Sequence, residues 1–330
     1  MPAESHFGSR AERASATVPT EDFTSLTVII PTRNRPGDLR AAVNTLLMQT
    51  VLPCETIIVD QSPRDDSERA IAELFAGASD RAREQVALKY IRDPEISGLA
   101  TARNEALRHS HGDVVLFLDD DVELEADFVE ALLRAYAENP EVAGVSGIVT
   151  NYLPKPLLGR LWNRIFVIGP FYDDRQAIYY RADRLRHSEP LRVTRFTGAL
   201  MSFRSSAMRD ARFDANLRGA SEGEDVDFCM HLGPTAKLVI HPGARLVHKV
   251  SPAGRVSEQW IGAVARGNAY LYYRNWNSGL KNRVCFFWLR VGYSLLALAS
   301  SARRRSLTPW RTLRNALRQG RQLGKGEPPS

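Results

Sequence analysis

Three carboxylates in succession, Asp119-Asp120-Asp121, close an apolar run that begins at Val114. Val114 to Leu118 is short, β-branched and aromatic, the pattern of a fully buried strand. In an open α/β sheet, ligands bind at the carboxyl ends of the strands. Three adjacent anions repel one another unless a cation offsets them. Carboxylate oxygens suit Mg2+ and Mn2+, and Mg2+ typically takes one or two of them together with substrate phosphates. The run therefore reads as a divalent-metal site for a phosphorylated substrate. Its rival is an acidic turn leading into the next helix, because Glu123, Glu125 and Asp127 prolong the acidity.

Other residues could join such a site. Gly98-Leu99-Ala100-Thr101-Ala102-Arg103-Asn104 opens a helix. An arginine near a helix N-terminus can meet a phosphate, which the backbone amides and the dipole also favour. Taken alone, Arg103 reads as an exposed helix arginine. Glu222-Gly223-Glu224-Asp225-Val226-Asp227 starts another helix, running to about Leu232. Acids there satisfy the helix dipole, and a carboxylate so placed can also act as general base toward an acceptor hydroxyl. His248 ends a short apolar strand; imidazole ligates Mn2+, although a lone histidine is more often structural. Gly198 interrupts the strand-like run Phe196 to Phe203, which marks either a bulge or close approach to a ligand. No Gly-x-Gly-x-x-Gly follows a strand, and no Gly-x-x-x-x-Gly-Lys-Ser/Thr is present. That argues against a dinucleotide oxidoreductase and a P-loop NTPase.

The elements that must position these residues alternate along the first half. Leu26 to Ile30 reads as a strand ending at Pro31, Thr56 to Val59 as a second ending in Asp60, Ala87 to Ile91 as a third, and Val114 to Leu118 as a fourth. Helices fit about 37–49, 67–75, 98–109 and 126–139, the first and last with apolar residues on one face. This alternation predicts βαβ units, a mostly parallel Rossmann-like sheet and helices on both faces. Thr32-Arg33-Asn34, Asp60-Gln61-Ser62 and the three aspartates would then share one sheet edge, the nucleotide crevice of an α/β fold. Beyond Val145 to Val149, a possible strand, residues 151–192 are rich in Arg, Tyr and Pro and read as an irregular, substrate-facing insertion.

Charge divides the chain. Residues 251–330 hold 14 Lys/Arg against 2 Asp/Glu, a balance of +12, whereas the first 250 hold 30 against 36, a balance of −6. A basic end of this kind seeks nucleic acid or an anionic membrane surface. The acidic remainder and the absence of a nucleic-acid-binding motif argue against nucleic acid. Residues 284–299 are apolar with one arginine, shorter than the about 20 residues that cross a bilayer. Arg303-Arg304-Arg305 follows, and then Trp310, Leu313 and Leu317 share a helical face while Arg311, Arg314, Arg318 and Arg321 enrich the remainder. This predicts an interfacial helix on an anionic leaflet, with a helical cap or a dimer helix as alternatives. The three cysteines, Cys54, Cys229 and Cys285, have no short spacing and suit a reducing compartment. Residues 1–22 are polar without an apolar signal-peptide core, and 1–23 is expected to be a disordered tail.

Taken in order, the pieces resemble the family 2 glycosyltransferases of the GT-A fold. Val28-Ile29-Ile30-Pro31-Thr32-Arg33-Asn34-Arg35 resembles the opening strand and nucleotide loop, and Ile57-Ile58-Val59-Asp60 the second strand with its base-contacting aspartate. Gly98 to Asn104 is similar to the Gly-x-x-x-Ala-Arg-Asn motif, Asp119-Asp120-Asp121 to the Asp-x-Asp motif, Thr197-Gly198-Ala199 to the glycine segment of the sugar pocket, and Glu224-Asp225 to the Glu-Asp pair. Where many members carry a metal-ligating histidine, this chain has His248. One departure is Gln61-Ser62-Pro63, where the family often has a second aspartate and Gly-Ser; it puts in doubt which base is read.

The resemblance implies an inverting, metal-dependent transfer from a UDP-, dTDP- or GDP-linked sugar to a hydroxyl of a glycan or lipid-linked acceptor, in cell-surface polysaccharide or glycolipid synthesis. Pro31, Arg33 and Asp60 would hold the base and Asp119 the ribose, with Asp120 beside them and Gly198 lining the sugar pocket. Asp121, Asp119 and His248 would hold Mn2+ or Mg2+ on the diphosphate, with Arg103 adding positive charge. Asp225 would act as base, paired with Glu224. The expected domains are 24–280, the GT-A unit, and 281–330, a basic, apolar-containing helical extension that gives peripheral membrane contact through 284–330. The expected location is the cytoplasm, at the inner face of the cytoplasmic membrane where that contact is made. Rival readings are a catalytically inactive nucleotide-sugar-binding or membrane-scaffold protein of the same fold, and a sugar-1-phosphate nucleotidyltransferase. The last should carry a Gly-rich phosphate loop where this chain has Pro31-Thr32-Arg33-Asn34.

Overall fold

A computed structural model describes residues 24–327 except 154, 180, 210, 218–222 and 251–259. The expected tail 1–23 and Glu222 lie outside the described residues. The strands are β1 (Leu26–Thr32), β2 (Glu55–Asp60), β3 (Ala87–Arg92), β4 (Val114–Leu118), β5 (Val122–Leu124), β6 (Gly144–Val149), β7 (Leu191–Val193), β8 (Leu200–Arg204) and β9 (Leu238–His248). They form one sheet in the order β3-β2-β1-β4-β8-β6-β9-β5, with β7 also on β9. β2, β3, β4, β6 and β9 run with β1, while β5, β7 and β8 run against it. The sheet is thus mostly parallel, as the strand–helix alternation predicts.

Continuous apolar runs form the central strands because both faces are covered. Val28, Ile30, Leu116 and Leu118 point to one face, where helices Pro36–Leu47 and Phe128–Glu138 bury Leu39, Val43, Leu46, Phe128 and Leu132. Ile29, Ile57, Val115 and Phe117 point to the other, against Ala102 and Ala106 of helix Leu99–Leu107 and Phe228 of helix Glu224–His231. The Phe213 and Phe228 rings stack there with centroids 4.2 Å apart, and Phe117 meets Phe213 edge-on at 5.2 Å. Aromatic packing of this sort adds about 0.5–1.5 kcal/mol per pair beyond burial, which seats the acidic N-terminus of the Glu224 helix against the sheet.

Two antiparallel pairings determine where the chemistry falls. β8 lies beside β4, so Leu200 is opposite Leu118 and the Asp119 amide donates to the Ala199 carbonyl at 3.3 Å. β5 lies beside the end of β9, so Val122 is opposite His248 and the Lys249 amide donates to the Asp121 carbonyl at 2.8 Å. The link from β4 to β5 therefore carries the three aspartates between the glycine segment and His248.

Several local expectations change. β1 runs on through Pro31 to Thr32, with Pro31 still opposite Val59; the ladder to β4 ends at Ile29, so the missing proline N–H falls beyond it. The run from Phe196 begins as a strand only at Leu200, after a turn bridging Thr197 and Leu200. The segment read as irregular contains a helix, Leu157–Phe166. Helices Trp260–Leu271, Leu280–Arg304 and Thr308–Gly324 bury one shared apolar cluster that includes Ala265, Ala269, Leu289, Tyr293, Leu313 and Ala316. The expected boundary at 280 therefore runs through a packed unit, joined to the sheet domain by Val226 and Phe171 in the same cluster. Close helix contact explains its glycines: a Cβ on Gly320 would lie 2.3 Å from the Arg266 carbonyl oxygen, and one on Gly292 would lie 2.5 Å from the Phe166 ring.

Candidate active site

The parallel strands β1, β2 and β4 end together, which brings three of the sequence clusters to one edge. Thr32, last in β1, is opposite Asp60, last in β2. The Thr32 hydroxyl donates to Asp120 Oδ2 at 2.7 Å, and Arg35 Nη1 donates to Asp120 Oδ1 at 2.9 Å. Asp120, a candidate donor ligand, is thus buried and spends both oxygens on the loop after β1. Burial pushes its carboxyl up to about 6, with Thr32 and then Arg35 opposing the rise. Arg35, not the exposed Arg33, grips the aspartates, lying also 3.7 Å from Asp121.

Asp60 is fully buried. Its Oδ1 accepts from the Ser62 amide at 2.8 Å and from the Ser62 hydroxyl, and its Oδ2 accepts from the Tyr90 hydroxyl at 2.7 Å. The Asn34 amide donates to Ser62 Oγ at 2.7 Å, so Asp60 holds the loop after β1 through Ser62. Pro31 is likewise buried in β1. Of the expected base-holding residues, Arg33 is the exposed one.

Asp119, Asp121 and His248 come together, each offering a ligand atom within 4.8 Å of the others. His248 Nε2 is 2.9 Å from Asp121 Oδ1 and 3.9 Å from Asp119 Oδ2. Ligands about 2.0–2.1 Å from an octahedral Mg2+ are separated by roughly 3.0 Å when adjacent and by about 4.2 Å when opposite. The two separations fall in that span, and an imidazole with two carboxylates is a donor set suited to Mn2+. The residues fit a divalent cation.

Arg103 is placed differently from expectation. It is fully buried, with Nη1 donating to Glu224 Oε1 at 3.2 Å and Nη2 to Asp119 Oδ1 at 3.3 Å and the Gly198 carbonyl at 2.6 Å. Its guanidinium also lies over the Phe213 ring, 5.3 Å from the centroid. The helix Leu99–Leu107 directs it inward, where it braces Asp119, Glu224 and the Gly198 carbonyl.

Glu224 and Asp225 divide because neighbours at a helix start point about 100° apart. Glu224 turns inward to Arg103 and is buried; the lost hydration, then the Asp225 charge, push its carboxyl above the ordinary glutamate range, with Arg103 opposing. Its carboxylate thus faces Arg103 rather than solvent. Asp225 turns outward, its side chain 16% exposed and 3.6 Å from Arg175. Its Oδ2 accepts the Gly198 amide at 3.0 Å and its Oδ1 the Val226 amide at 2.8 Å. Gly198 is therefore the hinge of the site: a Cβ there would sit 3.1 Å from Glu224 Oε1. Gly223, at φ +104°, sets the helix start in a backbone region that suits glycine.

Arg175 was not legible as a site residue. It lies in the helix Arg175–Tyr179 of the insertion, donates to both oxygens of Asp173 at 2.8 and 3.0 Å, and also donates to the Phe196 carbonyl. Burial works against its charge, but Asp173 and then Asp225 outweigh this and push the guanidinium up. One connected chain of contacts thus runs from His248 through Asp119, Arg103, Gly198 and Asp225 to Arg175.

Known proteins share this arrangement's scaffold. The family model for glycosyl transferase family 2 matches residues 27–210. A pre-mycofactocin glycosyltransferase of Mycobacterium tuberculosis is 30% identical over 222 residues, covering 67% of this chain and 40% of that protein. The galactofuranosyltransferase GlfT1 of Mycobacterium tuberculosis is 27% identical over 327 residues, covering 92% of this chain and 98% of the relative. Several other curated relatives, like the pre-mycofactocin enzyme, are matched over less than half their length. Among solved structures, the mannosyltransferase PcManGT of Pyrobaculum calidifontis, in complex with GDP-mannose and Mn2+, superposes with a TM-score of 0.55 at 19% identity, covering 91% of this chain and 86% of that one. The expected GT-A type α/β fold is the one observed. With the family model spanning more than half of its length, the chain belongs to glycosyl transferase family 2.

Proposed function

We propose that the chain transfers a sugar from a nucleotide-diphosphate donor to an acceptor hydroxyl with inversion at the anomeric carbon. The observation that carries this reading is the continuous link between the Asp119–Asp121–His248 cluster and the outward-facing Asp225 through Arg103 and Gly198. It joins a place for the diphosphate to a place for a base. The donor would lie along the ends of β1, β2 and β4, its base near Arg33 and its ribose near Asp119. A divalent ion, Mn2+ or Mg2+, held by Asp119, Asp121 and His248 supplies positive charge against the leaving diphosphate. The acceptor oxygen attacks the anomeric carbon as the carbon–oxygen bond to phosphate breaks. Its proton passes to the Asp225 carboxylate, and the nucleoside diphosphate departs with the bonding pair. The Gly198 amide and Arg175 fix the orientation of that carboxylate.

The relatives' names give the sugars to try first: galactofuranose from one and GDP-mannose from another. The acceptor is a glycan or a lipid-linked hydroxyl compound, and 284–330 provides peripheral contact with the inner face of the cytoplasmic membrane. The test is nucleotide release with Mn2+ across UDP-, dTDP- and GDP-sugars, with product configuration read by NMR. Release from one donor class with an inverted product is the expected result. A retained configuration would overturn the single-displacement reading, and formation of a nucleotide sugar and pyrophosphate from a nucleoside triphosphate and a sugar 1-phosphate would favour the nucleotidyltransferase.

A further inference from the structure

Helices Leu280–Arg304 and Thr308–Gly324 leave a cleft of about 480 Å3 between them. Its walls are apolar: Phe286, Phe287 and Leu295 from the first helix, Leu313 and Leu317 from the second. Four guanidinium groups, Arg290, Arg314, Arg318 and Arg321, also line it. Among the described residues no carboxylate lines it, and the sequence has no Asp or Glu from 259 to 326. Arg290 lies 5.8 Å over the Phe286 ring and Arg321 5.7 Å over Tyr273; among the described ion pairs none of the four meets an acid.

The cleft opens onto a wider apolar face. Phe287 and Leu295 line the cleft and are still 63% and 53% exposed. Helix Leu157–Phe166 extends that face with Leu157, Leu158 and Leu161, all more than half exposed. It is fixed to the long helix by Phe166 on Gly292 and by Trp288 Nε1 donating to the Ile165 carbonyl at 2.8 Å. Its charged residues are Arg160 and Arg164, both exposed, and no acid occurs from 142 to 172.

Length alone would let the 25-residue helix cross a bilayer. However, Cys285, Phe286, Leu289, Gly292, Tyr293 and Ala297 are buried against the protein, and the exposed Arg290 would sit near mid-membrane. An apolar face edged only by cations, with an arginine-lined cleft, instead matches the surface of an anionic leaflet.

We propose that helices Leu157–Phe166 and Leu280–Arg304 lie together on an anionic bilayer leaflet and that the cleft takes one of its phospholipids. The acyl chain lies between Phe287, Leu295, Leu313 and Leu317, and the phosphate meets Arg314, Arg318 and Arg321. The inference rests on the membrane contact proposed above and deepens it. It assigns part of that contact to the 151–192 insertion and gives the headgroup a seat.

The test is flotation of the full chain with phosphatidylcholine vesicles, with and without phosphatidylglycerol. Nucleotide release reports that each variant remains folded. The expected result is flotation that depends on phosphatidylglycerol. It falls about thirtyfold in Arg314→Gln/Arg318→Gln, at roughly fivefold per cation, and by tenfold or more in Leu158→Gln/Leu161→Gln. If the chain floats but neither double variant weakens it, membrane contact stands and the cleft and insertion helix are overturned as its seat. Absence of flotation by the parent overturns membrane contact and this inference together, while leaving the transferase reading to its own assay. A sedimentation shift to dimer abolished by Leu158→Gln/Leu161→Gln, without flotation, would assign the face to a second copy and overturn the lipid.

Discussion

Arg103 divides its guanidinium between Asp119, Glu224 and the Gly198 carbonyl, with no exposure to solvent. Removing it would leave a buried glutamate uncompensated, so Arg103→Met should cost about 3–5 kcal/mol in denaturant unfolding. Lysine offers a point charge rather than a fork and should not restore the loss. Glu224 adds a pH signature. Burial raises its carboxyl above the unfolded value, so the folded chain holds that proton more tightly. Stability from this group is therefore full below the ordinary glutamate range, about 4.3, and is lost as pH rises through the higher folded value. Glu224→Gln cannot ionise. Its melting temperature should improve relative to the parent between about pH 5 and pH 8, and a difference that narrows or reverses with rising pH would contradict the burial account. At this scale the sequence discloses which residue types gather, but not which oxygen faces inward. Asp120 and Asp60 carry the right chemistry at the right strand ends, yet each is consumed by neighbours, Thr32 and Arg35 for one, Ser62 and Tyr90 for the other. A two-residue difference between Arg33 and Arg35 decides which touches the aspartates, and nothing in the local pattern encodes it.

Elements explain how distant stretches of sequence converge. β8 runs antiparallel to β4 and β9 antiparallel to β5, so Gly198 and His248 arrive on either side of the link from β4 to β5. The parallel strands and their helices are legible because their periods are regular. The insertion is not, because its helices are short and its arginines are used for tertiary contacts. Arg175 is the clearest example: it positions Asp225 from a five-residue helix. Its loss should affect the chemical step more than donor binding. Arg175→Gln should lower kcat by about 10- to 100-fold, the worth of one charged contact, while donor affinity by calorimetry stays near that of the parent. An equal loss in affinity would give Arg175 a donor-binding role instead. In the C-terminal unit, Gly320 permits helix Thr308–Gly324 to rest against Trp260–Leu271. Gly320→Leu would meet backbone at 2.3 Å and should loosen that contact, measured as faster amide exchange across 260–271.

At the scale of the whole molecule, charge and chemistry are segregated. Carboxylates gather at the sheet edge, and the C-terminal helices carry arginines around an apolar cluster. The +12 balance of residues 251–330 is legible from composition, whereas the packing of those helices through Val226 onto helix Glu224–His231 is a tertiary fact. In the proposed reading, the sheet edge would hold a soluble anionic donor while the C-terminal helices would face the acceptor's surroundings. Chelation should remove the shared charge at Asp119, Asp121 and His248. Turnover should fall by more than about 10²-fold, given several kcal/mol of charge stabilisation, and should return on adding Mn2+. Asp121→Ala should respond to neither step.

In the proposed mechanism Asp225 accepts the acceptor proton at the end of a network that begins at Asp119, Asp121 and His248. The most direct measurement is turnover of Asp225→Asn against the parent under saturating donor and Mn2+, with donor affinity measured on both. Asp225→Asn should lose at least about 10²-fold in turnover with donor affinity unchanged within about threefold, since the substitution keeps the size of the side chain and spares the donor cleft. Turnover at the parent rate would contradict it.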